Sequence, residues 1–261
     1  MFRSLHVAAT GMAAQQTRLE GISHNIANSG TVGFKRQRVE FQDLLYQMVR
    51  QPGATTGETT QAPLGVQLGS GVRIAGTVNI HEQGTFLTTS NPLDLAIEGN
   101  GFFAIQREDG SLAYTRAGNF QADASGRIVT SDGLPLDPPI SIPAEALSVS
   151  IAANGTVTVT MPGESDPVEI GQITTASFVN PAGLRNIGHN LYERTVASGE
   201  PEFSTPTTGV HGAIMQGALE QSNVDMVEEM VNLISAQRSY EINSRVVSSA
   251  DEMLRKASEM A

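Results

Sequence analysis

Near the start of the chain Leu5, Met12, Leu19 and Ile26 recur at seven-residue intervals, with Ala8 and Ile22 between them and Gln15 as a polar interruption. Apolar residues at that period line one narrow helical face, the seam along which coiled-coil partners meet. Gly11 and Gly21 each weaken such a helix by roughly 1 kcal/mol against Ala, so the segment reads as marginal alone. The far end repeats the pattern more strongly. Met226, Leu233, Tyr240, Val247 and Leu254 stand seven apart, with Ala236, Asn243, Ala250 and Ala257 on a neighbouring row. Ser222 followed by Asp225 resembles a capping box, and early Glu228 and Glu229 with late Arg255 and Lys256 suit the helix dipole. About 35 residues at 1.5 Å each predict a rod on the order of 50 Å long. Two arrangements are open: the helices pair as a coiled coil, or each packs on a β domain. Length and narrow seams favour the first.

Between the ends the period changes to two. Val72, Ile74, Val78 and Ile80 alternate with polar or small residues, and Val149 and Ile151 precede Asn154-Gly155 while Val157 and Val159 follow it. The latter is a hairpin pattern, because both turn residues tolerate positive φ. Asp109-Gly110 and Asp132-Gly133 mark further tight turns. The predicted class is α+β, with paired N- and C-terminal helices and two β-rich domains between them. The expected division is 1–30 plus 223–261 for the helices, 31–90 plus 190–222 for a connecting β domain, and 91–189 for an outer β domain. Residues 51–71, including Gln51, Pro52, Gly53, Pro63, Gly65, Gly69 and Gly71, are rich in glycine with little to bury. They predict an extended arm that lies against something outside its own domain.

Composition narrows the partners. Net charge is −11, which argues against nucleic acid or an anionic membrane as the main surface. The ends differ in sign: residues 1–50 carry six Lys/Arg against three Asp/Glu, and residues 223–261 carry four against seven. That opposition suits helices that pair. The chain has no Cys. The opening apolar run is broken by Ser4, His6 and Thr10, so it lacks the core of a cleaved secretory signal, and no stretch approaches a membrane span.

Candidate chemistry is thin. His6, His24, His81, His189 and His211 show no metal-ligand spacing, and no phosphate-cradling or nucleophile signature is present. Asp94 and Glu98 are the carboxylates a glycosidase-like cleft would need, whereas Asp109 and Asp132 precede turn glycines and have a local role there. No catalytic residue, metal site or cofactor is expected.

The stretch "ANSGTVGFKR", carrying Ala27, Asn28, Thr31, Gly33, Phe34 and Lys35, resembles the signature of bacterial flagellar rod and hook proteins. "SNVDMVEEMVNLISAQRSYEINSRVVSSADEML" is similar to that family's C-terminal helix, and "DLAIEGNGFFAIQREDGSLAYTRAGNFQADASGRIVTSDGLPL" to its shared β domain. Overall length and "YQMVRQPGATTGETTQAPLGVQLGSGV" point to the distal rod branch. The resemblance implies a tubular axial assembly across the periplasm, exported without a cleaved signal through the flagellar apparatus. It implies as partners further copies of the chain, proximal rod and hook proteins, the P and L rings, and the rod cap. On that reading Gly30 and Gly33 let the backbone leave the helical layer, Phe34, Val39 and Phe41 are buried in the next, and Lys35, Arg36 and Arg38 meet acidic neighbours at an interface. Another rod or hook subunit of the same family is the alternative within it, and a coiled-coil surface or phage fibre protein is the rival from another class, which would form closed trimers rather than open tubes.

Overall fold

The computed structural model describes residues 2–52, 63–163 and 166–259, and the chain divides into two compact units. The first comprises residues 1–27, 37–78 and 225–261; the second comprises 28–36 and 79–224. The class is α+β, as the two periods require: helices at the ends, short strands between.

In the first unit helix α1, Phe2–Ala27, packs against helix α2, Met226–Glu259. Thirty-four residues make α2 about 51 Å long. Its cap is Asp225 rather than Ser222: one Asp225 carboxylate oxygen accepts from the backbone N–H of Val227 at 2.8 Å and of Glu228 at 3.2 Å, satisfying donors that a helix start leaves orphaned. The two glycines of α1 are explained by close approach. A Cβ on Gly11 would lie 3.0 Å from the Asn243 side-chain nitrogen of α2, and one on Gly21 would lie 3.2 Å from a methyl of Val39. The strand Gln37–Asp43 pairs with Val72–Asn79. The amide of Asn25 fixes its start, donating to the Gln37 carbonyl and accepting from the Gln37 N–H, both at 2.9 Å.

The arm has more order than its composition suggests. Strands Gln47–Arg50 and Val66–Leu68 form an antiparallel ribbon whose residues are all exposed. Gly53, with the rest of 53–62, lies outside the described residues.

The second unit is built around Phe102–Gln106, central in an antiparallel sheet that also contains Leu112–Thr115, Thr175–Ser177, Leu191–Glu193 and Glu202–Ser204. Alternation sends Phe103 and Ile105 to one side with Leu95, Ile97 and Phe120, while Phe102 and Ala104 pack on the other with Tyr114, Phe178 and Tyr192. The predicted hairpin forms, with Val149 opposite Val159 and Ile151 opposite Val157. Its loop spans Ala152 to Gly155, and of the Asn-Gly pair Gly155 alone takes positive φ, at 84°. The Ala152 N–H bonds across to the Thr156 carbonyl and the Gly155 N–H bonds the Ala152 carbonyl, so Ala153, Asn154 and Gly155 form the turn beyond that pair.

Candidate assembly interface

Helix α2 carries apolar residues on two opposite faces. Towards α1 it buries Ala236 and Ala250, with Leu233, Val247 and Leu254 half-buried, while α1 buries Ala8, Ala14 and Ile22 and leaves Leu5, Met12, Leu19 and Ile26 half-buried. The buried positions are mostly small residues, and the larger seam residues are half-buried. Met226 and Tyr240 are exposed. On the other side Val227, Met230, Val231 and Ile234 are exposed; Ile242, Val246 and Met253 are also exposed, but within about 90° of Ala250. At ~100° per residue the stripe begun by Val227, Val231 and Ile234 lies about half a turn from Ala236.

The second unit holds a buried charge cluster where the chain enters and leaves it. Lys35, 2% exposed, places its Nζ 2.5 Å from Oε1 of fully buried Glu220 and donates to the Glu82 carbonyl at 2.6 Å. Arg116 approaches the other Glu220 oxygen at 3.5 Å and donates to the Gly99 carbonyl at 2.7 Å. The Gly84 N–H adds a 3.0 Å bond to Glu220. Asn223 completes the tie: its amide nitrogen donates to the Ile80 carbonyl at 2.8 Å and its oxygen accepts from the Arg36 N–H at 2.7 Å. Three chain passages, around residues 33–36, 80–84 and 220–223, are thereby bound to one another.

The turn leading into this cluster is Asn28–Phe34. The Thr31 N–H bonds the Asn28 carbonyl, and the Thr31 hydroxyl reaches the Asn28 side-chain oxygen at 3.2 Å. Gly33 sits at φ 69° with its missing Cβ directed 2.5 Å from the Ala117 nitrogen, and its N–H bonds the Glu220 carbonyl. Both conformation and space exclude a side chain there. Gly30 differs from expectation: it has open space around it and no positive φ. Lys35 departs from the expected interface role, since its acidic neighbour is Glu220 of the same chain; Arg38 pairs with Glu40 at 2.7 Å. Phe34, Val39 and Phe41 are half-buried.

Burial sets the electrostatics. It pulls the Lys35 ammonium below the usual lysine range, opposed by Glu220. His81, edge-on to Phe102 and Tyr192, is lowered to about 4 by burial and by the nearby Lys35 and Arg116 cations. The Pro181 backbone opposes that shift weakly without reaching hydrogen-bond geometry, and both ring nitrogens are buried without a partner. Tyr192 is pushed up to about 12 by burial.

Carboxylates elsewhere serve turns. Asp94 accepts from Asn91 at 2.8 Å, Asp109 from the Ser111 N–H at 2.9 Å, and Asp123 from the Ser125 N–H at 2.7 Å. Glu98 is exposed. Among the described residues no group of His, Asp or Glu is arranged to hold a metal ion, and no helix is long and apolar enough to cross a membrane.

Comparison with known proteins agrees with this arrangement. Residues 5–35 match the model for "Flagella basal body rod protein", residues 96–159 the "Flagellar hook protein FlgE/F/G D1 domain", and residues 215–260 the "Flagellar basal body rod FlgEFG protein C-terminal". The chain is 45% identical over 260 residues to the flagellar basal-body rod protein FlgG of Buchnera aphidicola, covering 100% of both. It is 48% identical over 259 residues to FlgG of Caulobacter vibrioides, covering 99% of both, and 41% over 265 residues to that of Bacillus subtilis, covering 98% of both. The chain belongs to the flagellar basal-body rod protein family.

Within the rod family match, Lys35 is the last residue of the N-terminal segment and Glu220 lies inside the C-terminal one. Their contact joins the two matched segments across 185 positions. Sequence reasoning reached Lys35 but passed over Glu220, Arg116, Asn223 and Asn25. One cue was available: in "GALEQS" Ala218 and Glu220 share a face, so period-two reading puts a carboxylate on the inward side.

Proposed function

We propose that this rod-family chain is a structural subunit of the distal rod, polymerising into a hollow helical shaft that crosses the periplasm. The shaft transmits torque from motor to hook and leaves a central export channel. On this reading the chain performs no catalysis and carries no cofactor. Its partners are its own copies, the proximal rod and hook proteins, the P and L rings, the rod cap and the export apparatus, which delivers it without a cleaved signal. The layers are the helices of 1–30 and 223–261, a connecting domain of 31–90 and 190–222, and an outer domain of 91–189, and the arm of 51–71 supplies contacts between subunits.

The observation that carries the proposal is the second apolar face of α2. A helix apolar on two sides belongs between neighbours, and α1 covers one side only. Unlike patches on one subunit that do not close on rotation build an open-ended tube. Electron microscopy of the concentrated full-length protein tests this directly. Open tubes of variable length are expected; closed trimers or solitary particles at every concentration would refute it.

A further inference from the structure

The buried charge cluster is not balanced. Lys35 and Arg116, with side chains 0% and 4% exposed, face a single buried carboxylate, that of Glu220. The exposed Glu82 acts on Lys35 only weakly. A surplus cation out of water is costly unless an anion meets it. Arg116 also keeps one donor in reserve: two of its guanidinium nitrogens reach the Ile97 and Gly99 carbonyls and Glu220, whereas Nε is buried with no partner. His81, close enough to feel the Arg116 charge, has both ring nitrogens buried and unpartnered. Buried polar atoms of a folded protein are normally hydrogen-bonded, so three in one neighbourhood ask for a reason.

Arg116 and His81 both line a cavity of about 400 Å³, within the size range of small-molecule sites. Phe102 and Phe178 give it apolar walls, and the exposed members of its lining, Val210 and Glu202 among them, mark the mouth. Charge is therefore graded along it, with surplus positive charge at the inner end and a carboxylate outside. At neutral pH the His81 ring is uncharged and offers one donor and one acceptor. An ionised carboxylate only accepts, and its two oxygens suit the Arg116 Nε–H and one His81 ring N–H.

We infer that this cavity is a binding site for a small organic anion, with one carboxylate turned inward to Arg116 and His81 and an aliphatic or aromatic body against Phe102, Phe178 and Val210. Glu202 at the mouth repels a second negative charge there, so a monocarboxylate is preferred to a dicarboxylate that carries its charges at opposite ends. The site lies wholly within the second unit and stands independently of the axial reading.

Dilute full-length subunit containing isotope-labelled histidine is titrated with phenylacetate at neutral pH and followed by NMR, the His81 signal being identified by its loss in His81→Phe. A saturable shift of that signal is expected. Phenylacetamide, which keeps the body and loses the charge, should bind about tenfold more weakly, the size of effect that a hydrogen bond to a charged group gives. The dicarboxylate para-carboxyphenylacetate should bind poorly and gain severalfold in Glu202→Gln. Val210→Trp fills the mouth from an exposed position and should abolish the His81 shift while the other histidine signals stay as they were. No saturable shift at His81, equal affinity for acid and amide, a shift that survives Val210→Trp, or a dicarboxylate indifferent to Glu202→Gln would each overturn the inference.

Discussion

At Lys35 and Glu220 two charges stand 2.5 Å apart with side chains fully out of water. Glu220 also faces the buried Arg116, so removing Lys35 leaves the carboxylate one cation, while removing Lys35 and Glu220 together leaves Arg116 buried without a carboxylate; an uncompensated buried charge costs about 3–5 kcal/mol, whereas replacing a whole buried ionic cluster by apolar side chains of similar volume is close to neutral. We therefore expect Lys35→Met to destabilise the subunit, Lys35→Met with Glu220→Leu not to recover the loss, and the further change Arg116→Met to recover part of it, read by urea unfolding. A Lys35 substitution without cost, or a double variant as stable as the natural protein, would contradict this role for the cluster. His81 supplies a pH dependence. Its folded-state value of about 4 lies below the unfolded value near 6.5, so the unfolded chain takes up the proton first. Stability should fall as pH drops from about 6.5 to 4, by up to about 3 kcal/mol, and lose nothing more on this account below that. His81→Phe, which keeps the ring among Phe102 and Tyr192, should flatten that part of a melting-temperature profile. At this scale the sequence was only partly readable. Gly33 was recognised, but the reason it must be glycine is Ala117, 84 positions away and invisible to local pattern. A buried lysine looks like a surface lysine until its partner is known.

The elements were more legible than their contacts. Heptad spacing located both helices and alternation located the hairpin around Asn154-Gly155, because backbone periodicity is a local property. What spacing left open was which side of a helix meets which partner. The seam of α1 and α2 is closed by Ala8, Ala14, Ala236 and Ala250, with the leucines at its margins; small residues permit close approach, and the counted period does not say which row lies closest. The arm's strand, Val66–Leu68, is too short for its alternation to stand out among the glycines around it. The outward stripe of α2 carries the prediction for this scale. Ile234→Glu should leave the unfolding free energy of the dilute subunit, read by urea, within about 0.5 kcal/mol of wild type, as exposed substitutions do, while abolishing tube formation seen by sedimentation. Equal loss of stability and assembly would mean that the stripe is covered within the subunit.

Taken whole, the molecule pairs a self-sufficient β unit with a helical unit that is not. The first has two apolar clusters on the faces of one sheet, one around fully buried Phe103 and Ile105 and the other around Phe102 and Ala104. The second rests on a pair of long helices whose buried apolar residues are mostly alanines and whose outer face carries exposed Val227, Val231 and Ile234. Family membership was legible because motifs at both ends and in the middle appear in order; the joining of those ends through Lys35 and Glu220 was not, since nothing along the chain links residues that far apart. The central claim is that α1 and α2 gain their stability from neighbouring copies. Amide hydrogen exchange across residues 2–27 and 226–259, compared in dilute subunit and assembled polymer, tests it most directly. The account predicts rapid exchange of both helices in the dilute protein and strong protection in the polymer. Equal protection in both states would contradict it.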